Sequence, residues 1–319
     1  MYSTVTSSTI RERVGFRVRG VTLVELIAVL TLLAIISVAA AVALRDPIRS
    51  YMDSKSRAVL TDIADTALRR MARDIRLGLP NSLRVTGAGP FYLELLLTRS
   101  GGRYRSQTDA SSLGDILDFT VADTSFDTLG ALSALSGQAV AANDILVVYN
   151  LFSTPTVATA NAYTYNQAAS SCTSATPNSQ TCNTATISST GAGALANETK
   201  INFASRQFPL ASPGNRFHVV SGPVSYVCNA NSGVLDTSGN GTGTLTRVSN
   251  YTISLTQPTS SFPGSPVTSV LAQDVSDCQI TYDPLVLTQS LGLVSIRLVL
   301  THNNETVTLY HEVHVSNLP

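Results

Sequence analysis

The chain has 319 residues, about twice the length of a usual domain, and its 21 Lys and Arg cancel its 21 Asp and Glu. Charged side chains make up only 13% of it, a balance that excludes a polyanion reader, so no nucleic acid partner is expected. Enough chain is present to bury one large or two small cores.

The first twenty residues carry Arg11, Arg13, Arg17 and Arg19 and end in Gly20. Residues 21 to 44 follow with only four polar side chains, Thr22, Glu25, Thr31 and Ser37. As a helix these positions reach about 36 Å, enough for a hydrocarbon core of about 30 Å, so this is the one spanning candidate. Basic residues flank it on both sides, with Arg45, Arg49, Lys55 and Arg57 downstream, and the positive-inside rule is close to a draw. A cleaved secretory signal is one reading, with Ala39-Ala40-Ala41 or Ala41-Val42-Ala43 as its site. An isolated acid inside an apolar span is expensive and marks a functional pairing, which makes Glu25 the residue to explain.

Asp46-Pro47 reads either as the start of a second helix or as a kink in a continuous one. From Ile48 to Leu77 an apolar stripe recurs at helical spacing through Ile48, Met52, Val59, Ile63, Ala67, Met71 and Ile75, widened by Leu60, Ala64 and Leu68. The opposite face carries Asp62, Asp65, Arg69, Arg70, Arg73, Asp74 and Arg76, with Asp65 to Arg69 and Arg70 to Asp74 at ion-pair spacing. Gly78-Leu79-Pro80 ends the helix.

Past residue 80 the chain is rich in Ser, Thr, Asn and Gly. Alternation predicts strands at 82–86, 91–98, 115–121, 144–151, 199–204, 216–228, 245–255, 267–283, 292–301 and 305–315. Pro223 suggests that 216–228 is two strands joined at Ser221-Gly222, and residues 301–305 read as a hairpin turn. The stretch 153–198 is polar, lacks a core pattern and is expected to be a surface insertion. Residues 229–243 form a second polar loop.

Cys172, Cys182, Cys228 and Cys278 all lie beyond the span, and an even number there suits two disulfides in an oxidising compartment such as a periplasm. Sequence separation favours Cys172 with Cys182 and Cys228 with Cys278, although four cysteines allow three pairings. Metal and catalytic motifs are weak. Asp236, Ser238 and Asn240 with Gly241 mimic a calcium loop, but Arg247 stands where a bidentate Glu belongs, and a plain turn is favoured. His311 and His314 would face opposite sides of a strand, and His218 and His302 stand alone in the sequence. There is no GxSxG, Walker loop or Cys–His pairing, so no enzyme, cofactor or metal is expected.

The run Gly20-Val21-Thr22-Leu23-Val24-Glu25-Leu26-Ile27 resembles the type IV prepilin leader. The resemblance implies cleavage by a prepilin peptidase between Gly20 and Val21, N-methylation at Val21, and a charge pair between Glu25 and a neighbouring subunit's new N-terminal ammonium. The family usually places Phe where this chain has Val21. Residues 46 to 85, 217 to 228 and 309 to 319 are similar to the O-type minor pilin family of the mannose-sensitive haemagglutinin (MSHA) pilus; with the leader they cover about a third of the chain.

That family implies an α+β fold: a leader at 1–20, a long N-terminal helix whose 21–44 half is membrane-embedded and whose 45–79 half is amphipathic, and a β-rich, disulfide-containing extracytoplasmic head at 80–319. It implies a single-pass inner-membrane protein with a periplasmic C-terminal domain that later joins a pilus. Its partners would be the major and other minor pilins, the prepilin peptidase and the inner-membrane assembly platform. Two alternatives stand beside this reading: a J-type minor pseudopilin of type II secretion, and a membrane-anchored periplasmic binding module or enzyme. The arginine-bearing helix face reads as a solvated or pilin-facing side, and residues 153–198 as a contact surface should the protein be a tip adhesin.

Overall fold

A computed structural model describes residues 20–153, 158–167, 172, 182–230, 232–288 and 291–319. The leader before Gly20, with its four arginines, and most of the middle of the 153–198 stretch lie outside the described residues. The chain divides into two units, Met1–Ser54 and Lys55–Pro319, and its fold is mixed α+β.

A single helix, α1 (Leu23–Arg76), contains Pro47, so Asp46-Pro47 does not begin a second helix. In the first unit its side chains are exposed throughout. In the second, Leu60, Ala64, Ala67, Leu68, Met71 and Ile75 are buried, the part of the predicted stripe that finds a sheet to cover. Ile48, Met52 and Val59 belong to the same stripe by spacing but remain more than half exposed. After Arg76 the chain tightens through Gly78 N–H to the Ile75 carbonyl (3.1 Å) and then hooks onto the sheet through Leu79 N–H to the Leu96 carbonyl (2.8 Å).

Among the described residues the sheet has eleven antiparallel strands: β1 (Arg84–Thr86), β2 (Phe91–Arg103), β3 (Asp123–Asp127), β4 (Ile145–Val148), β5 (Thr184–Ala192), β6 (Thr199–Arg206), β7 (Arg216–Asn229), β8 (Gly243–Tyr251), β9 (Gly264–Thr288), β10 (Leu291–His302) and β11 (Glu305–Ser316). Its spine is the β2–β7 ladder, which runs from Phe91 opposite Cys228 to Arg103 opposite Arg216. Along its other edge β7 pairs with β4 over Phe217–Val220 and with β8 over Val224–Asn229. This split builds two half-sheets on one spine, β8 to β11 on one side and β4, β5, β6 and β3 on the other.

It also corrects the expectation of two strands at 216–228. Pro223 falls in the gap between the β4 and β8 pairings, opposite Leu96 on β2, so its missing N–H disrupts nothing on that edge. The register shift that accommodates it lies between Leu97 and Thr98.

Each half-sheet has its own core. The helix lies on the first, where Leu68, Met71 and Ile75 pack with Leu93, Leu95, Tyr226, Val275, Ile296 and Leu298. The second is aromatic, with Phe126 edge-on to Phe217 at 5.1 Å and Phe203 and Phe208 alongside. A third cluster on the spine gathers Leu79, Leu96, Val147 and Tyr163.

Three further expectations change. Residues 115–121 are not a strand: Leu117 is buried in the aromatic core, bonded through its N–H to the Arg105 carbonyl, and the ladder begins only at Asp123. The 153–198 stretch is not wholly a surface insertion, because Ala162, Tyr163, Cys172 and Cys182 are buried and β5 occupies a place in the sheet between β4 and β6. The expected pair of Arg70 with Asp74 does not form either. Asp74 is buried and bonds instead to Arg247 of β8 (2.8 Å) and the Tyr226 hydroxyl of β7 (2.8 Å).

The disulfides are Cys172–Cys182 and Cys228–Cys278. The second joins β7 to β9 across β8, next to the helix-bearing core. The hairpin at residues 301–305 forms as expected, with Asn303 and Asn304 both in the left-handed region (φ 51° and 65°) that a two-residue turn between twisted strands requires.

Candidate functional site

The N-terminal candidate is built from Gly20, Val21, Thr22 and Glu25. Helix α1 begins at Leu23, and Thr22 is its cap: the Glu25 N–H donates to Thr22 Oγ1 at 3.2 Å, and the Leu26 N–H to the Thr22 carbonyl at 3.1 Å. Thr22-x-x-Glu25 therefore has the spacing of a capping box directly before an apolar run, a start signal present in the sequence beside the leader motif. It also sets the Glu25 carboxylate in the first turn, where the exposed N–H groups favour a negative charge.

Gly20 is not demanded by the local fold. Its φ lies outside the left-handed region, and a Cβ added there would meet nothing within 4 Å. Val21 and the apolar side chains that follow are exposed, with Val21 at 68% and Leu23 and Val24 at 75%. The helix has a window of mean hydropathy 2.8, none of it buried within the protein, and is long and apolar enough to cross a membrane; a signal sequence meets the same criteria.

The other residues singled out in the sequence fall into structural roles. Both Asp236 oxygens are occupied within the turn: Oδ1 accepts from the Ser238 and Asn240 N–H groups at 2.8 Å each, and Oδ2 accepts from Asn240 Nδ2 at 3.1 Å. The Asn240 backbone bond leads in holding its pKa below the ordinary carboxylate value. Arg247, at the loop's twelfth position, points its charge at Asp74 instead. Among the described residues no group of three or more His, Cys, Asp or Glu is arranged to hold a metal. His311 and His314 sit on β11 opposite Ile296 and Leu293, on alternate faces. His302 does not stand alone, since its Nδ1 lies 2.9 Å from Asp274 Oδ2.

Two of the buried polar clusters that sequence reasoning missed centre on Asp74 and Glu94. In one, Asp74 joins Arg247 and Tyr226 and pins the helix to the sheet; burial first, and the adjacent Asp74 charge second, push the Tyr226 hydroxyl well up. In the other, Glu94 takes Arg84 Nε at 2.6 Å and the Tyr251 hydroxyl at 2.9 Å, while the Arg84 guanidinium lies 3.7 Å over the Tyr163 ring. Burial raises the Glu94 pKa in spite of Arg84. Each cluster joins residues far apart in the chain, and no local pattern announces such a meeting. Both act as cross-links: the first ties α1 to β7 and β8, and the second ties β1, β2 and β8 together. No family model matches the chain, and neither the curated proteins nor the solved structures give a match.

Proposed function

We propose that the chain is a minor pilin of the MSHA type, cleaved after Gly20 by a prepilin peptidase, held in the inner membrane, and joined through its N-terminal helix to other pilins to prime or cap a filament. The observation that carries this reading is the pairing of an acid with an apolar helix. Glu25 lies in the first turn of a segment none of whose apolar side chains is buried. Such a segment needs lipid or like helices around it, and its acid needs a cation. A new ammonium on Val21 of a neighbouring subunit would supply that cation.

Gly20 supports the same reading. Neither conformation nor packing among the described residues calls for a glycine there, and recognition by a prepilin peptidase would account for it. The second unit, with a half-helix laid on an antiparallel sheet and two disulfides, suits an extracytoplasmic head.

The test is genetic and biochemical. Deleting the gene should abolish surface piliation and leave export of secreted enzymes unchanged; the opposite pattern would assign the chain to type II secretion instead. Glu25→Val should leave cleavage intact and abolish incorporation into filaments. Normal incorporation of Glu25→Val would remove the charge-pair argument.

A further inference from the structure

A cavity of about 580 Å³ opens at the C-terminal end of α1, entirely within the second unit, and three arginines line it: Arg76, Arg103 and Arg216. They come from three elements, the last turn of α1, the end of β2 and the start of β7. The lining includes no acid, and among the described residues none of the three has an ion-pair partner, whereas Arg57, Arg69, Arg84, Arg99, Arg105, Arg247 and Arg297 are all paired.

The register sharpens the point. Arg103 and Arg216 stand directly opposite each other in the β2–β7 ladder, so both side chains emerge on one face. Like charges opposite each other across strands destabilise a sheet. A shared anion turns that repulsion into attraction, and the guanidinium fork suits oxyanions because it can bond two oxygens at once.

The same face carries His218, opposite Gly101. His218 also lines the cavity, and its Nε2 is buried without a hydrogen-bond partner. Gly101 keeps the wall low: a Cβ there would sit 3.0 Å from the Phe217 carbonyl oxygen and 3.5 Å from His218 Nδ1.

We propose that this cavity is a binding site for a small multivalent oxyanion, a phosphate or sulfate ester or a polycarboxylate, held by Arg76, Arg103 and Arg216. Its volume lies within the range of small-molecule sites, roughly 300–1,000 Å³, and exceeds what one inorganic ion would fill. The proposal is independent of how the N-terminus is processed.

The test is thermal unfolding of the full chain in a non-ionic detergent, with pyrophosphate and citrate as probes and sodium chloride at matched ionic strength as reference. At 100 times its Kd a bound probe should raise the midpoint by roughly 5 °C or more. Whichever of pyrophosphate and citrate acts at the lower concentration identifies the preferred chemistry. Arg103→Gln should have an anion-free midpoint at or above that of the unaltered protein, and should lose the probe-dependent rise. Arg76→Gln should lose the rise as well, and Arg69→Gln, which removes a charge elsewhere on the helix, should keep it.

Two results would overturn the proposal. One is a shift no larger with either probe than with sodium chloride, or equal shifts in Arg103→Gln and the unaltered protein. The other is a lower anion-free midpoint for Arg103→Gln, which would show that the two arginines do not repel.

Discussion

Replacing Asp74 with Ala should be among the most damaging single changes in the second unit, although the residue sits on a helix among other charges. Its side chain is 9% exposed and that of its partner Arg247 13%, so the substitution strands a guanidinium in a space that water barely reaches. Breaking a buried pair by removing one partner costs about 3–5 kcal/mol, and the Tyr226 hydroxyl loses its 2.8 Å acceptor as well. The unfolding midpoint should drop by roughly 6 °C or more. The comparison is Asp65→Ala, which removes the partner of Arg69 from a pair whose side chains are 44% and 76% exposed; exposed pairs of this kind contribute little, and no change in midpoint is expected. Thermal or urea unfolding of both variants, followed by circular dichroism, decides the matter. Equal losses for Asp74→Ala and Asp65→Ala would refute the claim that Asp74 fastens the helix to the sheet.

Three more outcomes follow from burial and chain connectivity. Burial, reinforced by the neighbouring Arg216, lowers the His218 pKa from 6.5 to about 4. The imidazole is therefore neutral in the fold, and its contribution is complete above pH 6.5 and lost as pH falls toward 4, about 3 kcal/mol in all; His218→Gln should flatten this slope in stability measured against pH. Met71→Ala, at a fully buried site beneath the helix, should cost about 2–5 kcal/mol in urea unfolding with an unchanged slope. Replacing Cys228 and Cys278 together by Ser opens a closure of 50 residues and should cost about 4 kcal/mol on the chain-entropy estimate, measured the same way.

Periodicity made the helix-bearing half legible. The 3.6-residue stripe located the buried face from Leu60 to Ile75, and alternation located β8 to β11 because one face of those strands meets the helix and the other meets solvent. The hairpin at Asn303-Asn304 was legible because only certain residues tolerate its left-handed backbone.

The other half was harder to read. β5 is TATISSTGA, whose later residues are all exposed; it holds its place through backbone bonds to β4 and β6, and its side chains carry little signal. Residues 115–121 carried the converse trap, since Leu117 and Phe119 serve the aromatic core from an irregular chain. Asp74 was misassigned because spacing along one helix reveals Arg70 as a neighbour but cannot reveal Arg247, 173 residues away. At the N-terminus the motif Gly20 to Ile27 was plain in the sequence, and the fold adds the Thr22 cap and the finding that nothing among the described residues needs the glycine.

The central claim is that the chain is processed at Gly20, and intact-mass and N-terminal peptide mass spectrometry of the protein recovered from membranes tests it most directly. The account predicts a chain that begins at Val21, bears one added methyl group on its amine, and retains the whole apolar segment. A chain that begins near Val42 or Leu44, beyond a signal-peptidase site, or one that keeps residues 1 to 20, would contradict it.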